Sequence, residues 1–478
     1  MLIPYPSWLS AGDNTWQLTA ATLVGLMSLP GLAVLYGGLV QKKWAVNTMM
    51  MAFSAFAAVL IVWVLWAFKM SFGAPMHLGG GFLDQFVGHP GPVLGQASEE
   101  AQANIPLLSG IGLMPKFRFP QSSLVYFQFV FAAITPLLFL GSVLGRMSFK
   151  AWMVFVPLWT TCVYSVNAFL IWGGGYFAAK GVVDYSGGYV IHLSAGVTGF
   201  VAAAVIGPRL AKDRQAAAPN NLLLVAVGAG ILWLGWNGFN GGDPYFASAD
   251  AAGAVLNTNL ATAAALLTWV FMDMGGRNRK PTFLGAINGM IVGLVGITPA
   301  AGYVNGWGAL AIGIIGSFVV WFSFNKLSTK WIFAKVDDAL GVIHTHGLAG
   351  LMGGVMTGLF ADPKMIEYLG IGKASAVSVK GLFYGHPWQV VLQLFAGAWV
   401  IGWSALGTFV LLKIVALITP LRFDDETLEI GDLAIHEEQV EPSDLARRVM
   451  PIGVGHVVEQ VGEEQVGGNG SVQQITLE

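Results

Sequence analysis

Eleven apolar runs, each long enough to cross a hydrocarbon core roughly 30 Å thick, leave this chain few folding options. Inside lipid no water satisfies exposed backbone N–H and C=O groups, so a spanning segment of this length must be a helix. The runs lie near 16–40, 44–72, 120–144, 149–173, 186–207, 220–241, 253–274, 282–299, 306–328, 341–361 and 388–419. The run at 282–299 is the shortest, whereas 388–419 exceeds a perpendicular crossing and implies tilt. With 55% hydrophobic and 10% charged residues among 478, the expected fold class is an all-α polytopic membrane protein with eleven transmembrane helices. A soluble enzyme is excluded. One cysteine, Cys162, excludes an internal disulfide framework. Met1 to Gln17 has no basic region before its first apolar run and does not read as a cleaved signal peptide.

Lys and Arg positions set the direction of threading. Alternate loops carry Lys42 and Lys43; Arg146 and Lys150; Arg209, Lys212 and Arg214; Arg277, Arg279 and Lys280; and Lys326, Lys330 and Lys335. The loops between them are sparse in basic residues. By the positive-inside tendency the basic loops are cytoplasmic, with the N-terminus outside and the C-terminus inside, as an odd number of crossings requires. Five spans before the loop at 208–219 and five after it then have opposite orientations, giving an inverted five-plus-five repeat over about 14–207 and 220–361 plus one extra helix. Gly285, Gly289 and Gly293 share one helix face, as do Gly350 and Gly354, which marks close helix contact.

The same arrangement occurs on the fifth and tenth spans: Asp184 stands eight residues before His192, and Asp338 eight before His346. An ionisable group at membrane depth is costly, so matched histidines in two halves are candidates for one site on a permeation path. A single buried histidine can instead hold two helices by donating to a carbonyl; the matched spacing favours function. His344, two residues from His346, points to another helix face and reads as structural. Each acid can cap the helix that follows it, and for Asp184 a role near the outer mouth stands beside capping. Trp172, before a glycine triplet, and the run from Trp236 through Phe239 to Asp243 bring indole faces and an acid to the outer ends of the fourth and sixth spans. Indole binds cations for roughly 0.5–2 kcal/mol, although interfacial Trp is common without any ligand.

Taken in order, these residues resemble the ammonium transporter family (Amt/Mep/Rh) over about residues 14 to 440. The resemblance rests on the Pro30 to Gly38 segment, Phe127-Gln128 with Phe131, Trp172 with its glycines, Asp184 to His192, Gly235-Trp236 with Phe239-Asn240, Thr298-Pro299-Ala300 with Gly302-Tyr303, and Val336-Asp337-Asp338 leading to His346. The wider pattern from Asn237 to Tyr245 resembles the plant second-type members and their bacterial relatives, with Asp243 where many members carry Ser. The resemblance implies an ammonium transporter membrane domain over 1–420 and a cytoplasmic tail over 421–478, in a plasma (inner) membrane. It implies that Trp172 walls an external recruitment site and that Phe131 and Phe239 close the path below it. Phe127, Trp236 and Tyr164 are further substrate-binding candidates, and His192 and His346 line a hydrophobic lumen, with Asp184 serving structure or proton movement. Ammonium, ammonia and methylammonium are the expected substrates, the assembly a homotrimer, and a PII-type signalling protein the partner at the acidic tail.

Neither a cofactor nor a metal site is expected, no nucleic acid partner is implied, and the chain is not read as an enzyme. About half of its acids follow residue 420, and the glycines at 467, 468 and 470 suggest a disordered end. Two other readings remain. The chain could be an ammonium sensor using the same recognition site, or its facing histidines could ligate haem axially. Electrogenic and electroneutral transport are both compatible with these residues.

Overall fold

The computed structural model describes residues 6–440 except 78, 82, 111–113, 115, 216–217, 277–279 and 366–378. Arg277, Arg279 and the expected disordered end of the tail therefore lie outside the described residues, as does the start of the Met1 to Gln17 segment. Among the described residues the chain is helical, with isolated backbone bridges but no strand. Among the described residues nine helices are long and apolar enough to cross a membrane: α1 (Ala11–Leu39), α2 (Lys42–Phe72), α3 (Gln121–Val143), α4 (Phe149–Ala179), α5 (Gly188–Ile206), α6 (Leu222–Gly241), α7 (Ala249–Gly275), α9 (Gly306–Leu327) and α11 (Trp388–Ala416). Between them lie the shorter α8 (Phe283–Ile297) and α10 (343–360), the latter built from a π-helical and an α-helical piece.

Local chemistry starts these helices where the sequence supplies a short polar side chain. Ser10, Ser148, Asn221, Ser248, Thr282 and Asn305 each accept a hydrogen bond from a first-turn amide of the helix they precede. The Gly285, Gly289 and Gly293 stripe faces α7, where a Cβ on Gly289 would come within 2.6 Å of Trp269 Cβ and one on Gly293 within 2.6 Å of Thr262 Cα. Absent side chains are what let these helices touch.

α5 and α10 are built alike. Each is preceded by a glycine with positive φ five residues before its histidine, Gly187 at 108° and Gly341 at 69°, a conformation that a Cβ would strain. Eight residues before the histidine an aspartate accepts amide protons of the helix start. Asp184 Oδ2 takes those of Tyr189 and Val190 at 2.9 and 3.0 Å, and Asp338 Oδ2 takes that of Ile343 at 2.9 Å. Both histidines then fall in π-helical turns, Gly188–Leu193 and Ile343–Leu348. Four further π-helical stretches occur among the described residues, so this geometry alone does not single out the histidines. The helices cross through glycine: a Cβ on Gly196 would lie 2.3 Å from Gly347 Cα, and one on Gly350 2.4 Å from Gly188 O.

At one end of the bundle the basic loops and the tail knit together. The fully buried Arg146 donates to the carbonyls of Gly207 and Ser142 at 2.7 and 2.8 Å, and also to those of Leu144 and Asp337. Arg209 pairs with both oxygens of Asp337. Phe423 N–H donates to Arg146 O at 3.0 Å, and Asp432 in the tail accepts the amides of Val46 and Asn47 at 2.8 and 2.9 Å. This end is called the tail face below, and the end carrying Trp172 and Asp184 the Trp172 face.

Candidate functional site

Five rings form a continuous file from the Trp172 face to the crossing of α5 and α10. Trp172, at the end of the main run of α4, hydrogen-bonds through Nε1 to Asp184 O at 2.6 Å, which fixes its indole. The edge of Phe131, from α3, meets it at a centroid distance of 6.3 Å and an interplanar angle of 86°. Phe131 lies on Phe239 of α6 at 4.4 Å, Phe239 on His192 at 5.9 Å, and His192 on His346 at 5.4 Å with 25° between their planes. The two imidazoles touch through Nδ1 and Nδ1 at 3.3 Å. Phe131, Phe239 and His192 are fully buried and His346 is 6% exposed.

Trp236 and Phe127 flank the file. Trp236 stacks on His192 at 5.3 Å and is held by donation to Thr298 Oγ1 at 2.9 Å; Phe127 packs on Phe131 at 4.8 Å. A Cβ on Gly242 would come 2.4 Å from the Phe127 ring, so the turn carrying Asp243 can sit against this ring only because that position is glycine. The side chains of Trp16 and Gln17, both near the start of α1, hold the same turn by donating to the carbonyls of Gly241 and Gly242.

The electrostatics of the upper end are unusual. Asp243 is buried and its Oδ2 has no close hydrogen-bond partner; the hydroxyls of Tyr164 and Tyr185 are likewise buried and unpartnered. Tyr164 and Tyr185 lie within electrostatic reach of Asp243, and Ser186 lies beside its carboxylate. Among the described residues no Lys or Arg forms an ion pair with Asp243 or Asp184. A buried carboxylate beside unpartnered hydroxyls and without a cationic side chain is costly, and a cation with N–H donors is the chemistry that offsets such a cost.

The structure thus brings Trp172, Phe131, Phe239, Phe127, Trp236, His192 and His346 into one assembly and sets Asp243 and Tyr164 at its upper end. Asp184 is committed otherwise: Oδ1 accepts from Gly187 N–H and Oδ2 from two further amides, so it acts as a helix cap behind Trp172. His344 has a partner of its own, Ser323 Oγ, 2.8 Å from its Nδ1. Thr298, which aims the Trp236 ring, and Tyr185 and Ser186 beside Asp243 were not among the site residues expected from sequence. The stretches around Asp184 and Thr298 carried the only signal for them. Among the described residues no group of three His, Cys, Asp or Glu side chains is placed to hold a metal.

The comparisons with known proteins follow this geometry. The model described as the Ammonium Transporter Family matches residues 15–441. "Ammonium transporter 3 member 3" of Oryza sativa subsp. japonica is 48% identical over 444 residues, covering 91% of this chain and 90% of that protein. "Ammonium transporter 2" of Arabidopsis thaliana is 49% identical over 437 residues, covering 91% and 89%. The crystal structure of Saccharomyces cerevisiae Mep2 superposes with a TM-score of 0.73 at 31% identity, over 88% of this chain and 89% of that one.

Proposed function

Because the chain belongs to the ammonium transporter family, whose members are membrane transporters and not enzymes, we propose that it takes up the ammonium cation at Trp172 and Asp243, removes its proton, and passes neutral ammonia along His192 and His346. The observation that carries this reading is the direct contact of two buried imidazoles beneath a stack of aromatic rings. Ammonium and potassium are similar in size, so a sieve cannot separate them. Only ammonium can lose a proton. A bare charge in an apolar passage costs at least about 2.5–3.5 kcal/mol, which rejects potassium while neutral ammonia escapes the penalty.

Each residue then has a task. Trp172 and the unpartnered Asp243 oxygen concentrate the cation, with Tyr164 as a further acceptor. Phe131, Phe239 and Phe127 exclude water, and Trp236 holds the His192 ring flat. Neutral imidazoles carry one donor and one acceptor each, so the pair can pass ammonia from ring to ring and relay the proton it leaves behind. Asp184 keeps Trp172 and the start of α5 in register.

The architecture proposed around this path is eleven crossings in an inverted five-plus-five repeat with α11 outside it, N-terminus out and tail in. The matched starts of α5 and α10 support it. The membrane domain reaches about residue 420, and the acidic tail is its cytoplasmic extension. A homotrimer in the plasma (inner) membrane, methylammonium as a second substrate and a PII-type partner at the tail complete the proposal, all on the family resemblance. A sensor reading uses the same site without flux. The haem reading loses its support, because imidazoles in direct contact leave no slot for a porphyrin between them.

The test is ammonium-evoked current in proteoliposomes with potassium present, for the wild type and for His192→Ala and His346→Ala. The expected result is loss of ammonium current or of selectivity over potassium in both variants. Unchanged rate and selectivity would remove the pair from the mechanism, and a wild type without flux would leave the sensor.

A further inference from the structure

His344 shares a π-helical turn with His346 and precedes it by two residues, but its ring belongs to another surface. It packs on Phe333 at a centroid distance of 4.9 Å and on Phe324 at 5.8 Å. With these two rings it lines a cavity of about 340 Å³ on the tail face, whose lining also includes Asn288 and Ser328. Ser323 Oγ lies 2.8 Å from Nδ1. Among the described residues this buried serine hydroxyl has no other hydrogen-bond partner, so its hydrogen goes to Nδ1. A neutral imidazole whose Nδ1 accepts carries its own hydrogen on Nε2. The two ring systems then differ at that atom: His192 Nε2 is sealed in and unpartnered, whereas His344 Nε2, also without a partner among the described residues, is open to water. An N–H donor oriented by Ser323 is therefore free at the cavity wall.

We infer that His344 is the exit-side contact for neutral ammonia, donating its Nε2–H to the nitrogen lone pair of a molecule that has left His346 for the tail face. The inference rests on the reading of the chain as an ammonium transporter and extends it to the far end of the path. Ammonia has one lone pair and three N–H bonds, so it accepts from Nε2–H and can donate to the carboxamide of Asn288, which has no hydrogen-bond partner among the described residues. Ammonium has spent its lone pair and potassium is a bare cation, so the positive end of the N–H repels both. No proton changes hands at His344, because a neutral imidazole is too weak an acid to give one up. Ammonia regains its proton from the water beyond the ring.

His344→Ala removes the donor, and His344→Gln restores one, because a carboxamide N–H takes the place of Nε2–H. Currents from ammonium jumps applied to each face of reconstituted protein give a KM for each direction. In His344→Ala the tail-face KM is expected to rise about fivefold relative to the Trp172-face KM, the effect of losing one neutral hydrogen bond, and in His344→Gln the ratio is expected to return to within about twofold of the wild type. An unchanged ratio in His344→Ala, or a raised ratio that His344→Gln does not bring back, would overturn the inference and leave His344 to helix packing. A second measurement needs no flux. Nitrogen NMR of wild-type protein with isotope-labelled histidine, in which the His344 signals are those missing from His344→Gln, is expected to show the hydrogen on Nε2 alone. Those signals are expected to shift with ammonium chloride at a pH high enough to free ammonia, and not with potassium chloride. A hydrogen on Nδ1, or signals indifferent to ammonia, overturns the contact. If the wild type carries no ammonium current at all, the transport reading fails, whereas the NMR result still reports on His344.

Discussion

Gly350→Ala tests the crossing on which the histidine contact depends. The added methyl carbon would lie 2.4 Å from Gly188 O, 3.0 Å from Leu193 N and 3.1 Å from His192 Cβ. The two closest are backbone atoms, which cannot rotate away. Reaching an ordinary contact requires α5 and α10 to separate by about 1 Å, which takes the 3.3 Å imidazole contact beyond hydrogen-bonding distance. Overpacking of this kind costs roughly 1–3 kcal/mol, and the lost hydrogen bond adds roughly 0.5–1.5 kcal/mol. The total of about 1.5–4.5 kcal/mol predicts an unfolding temperature lower by on the order of 5 °C. The same displacement at the centre of the path predicts an ammonium current at least about tenfold lower. Gly230→Ala is the matched control, since a Cβ there meets nothing within 4 Å and helix propensity predicts a change between zero and about 1 kcal/mol in favour of the variant. Thermal unfolding in detergent and current in proteoliposomes, measured on both variants, decide the matter. If Gly350→Ala matched Gly230→Ala in both assays, the crossing would not set the distance between the rings.

Asp184→Ala removes a cap that serves three amides and is expected to cost about 1–2 kcal/mol. Asp184→Asn, which keeps one acceptor oxygen, is expected to cost about half as much in the same unfolding assay, and equal losses would show that charge matters more than capping. Asp337 supplies the pH dependence. Its burial disfavours the charged form, but hydrogen bonds and charge from Arg209 outweigh this and hold its carboxyl below the usual carboxylate value. A depressed value means the pair stabilises the fold above the unfolded pKa of about 3.9 and loses that effect as pH falls through the lower folded value. Asp337→Asn should therefore unfold more easily than the wild type by roughly 2–4 kcal/mol at pH 7. That gap should be flat down to about pH 5 and close below about pH 4; a gap that widened on acidification would contradict the assignment.

Much of the helical scaffold is readable from the chain because lipid allows so few solutions. The run read at 44–72 corresponds to Lys42–Phe72, that at 120–144 to Gln121–Val143, and that at 306–328 to Gly306–Leu327. α1 begins at Ala11, five residues before the apolar signal, because Ser10 caps a first turn whose Asp13 and Asn14 read as loop. The π turns at His192 and His346 were invisible: a shift from i→i−4 to i→i−5 bonding leaves no trace in an all-apolar run. Among the site residues, aromatic and imidazole groups stood out because polar or bulky side chains are rare in such helices. Capping by Asp184 was legible in the chain, but the use of its carbonyl as anchor for Trp172 was not, since that depends on a loop closing back over α4. Nor could sequence tell Asp184 from Asp338, whose difference lies in how many amides each carboxylate meets.

The Nδ1–Nδ1 contact has a consequence for symmetry. One of two touching ring nitrogens must bear the hydrogen and the other must not, so the two imidazoles cannot be the same tautomer. Matched segments therefore meet at a point that a single hydrogen makes unequal. When a proton arrives at Nε2 of the donor ring, its Nδ1 hydrogen passes to the other ring and that ring's own Nε2 hydrogen leaves, so both rings stay neutral, their tautomers are exchanged and the pair faces the opposite way. Before the same transfer can recur, both rings must regain their starting forms, so a relay through them has a resetting step that a bare conduit for ammonia lacks.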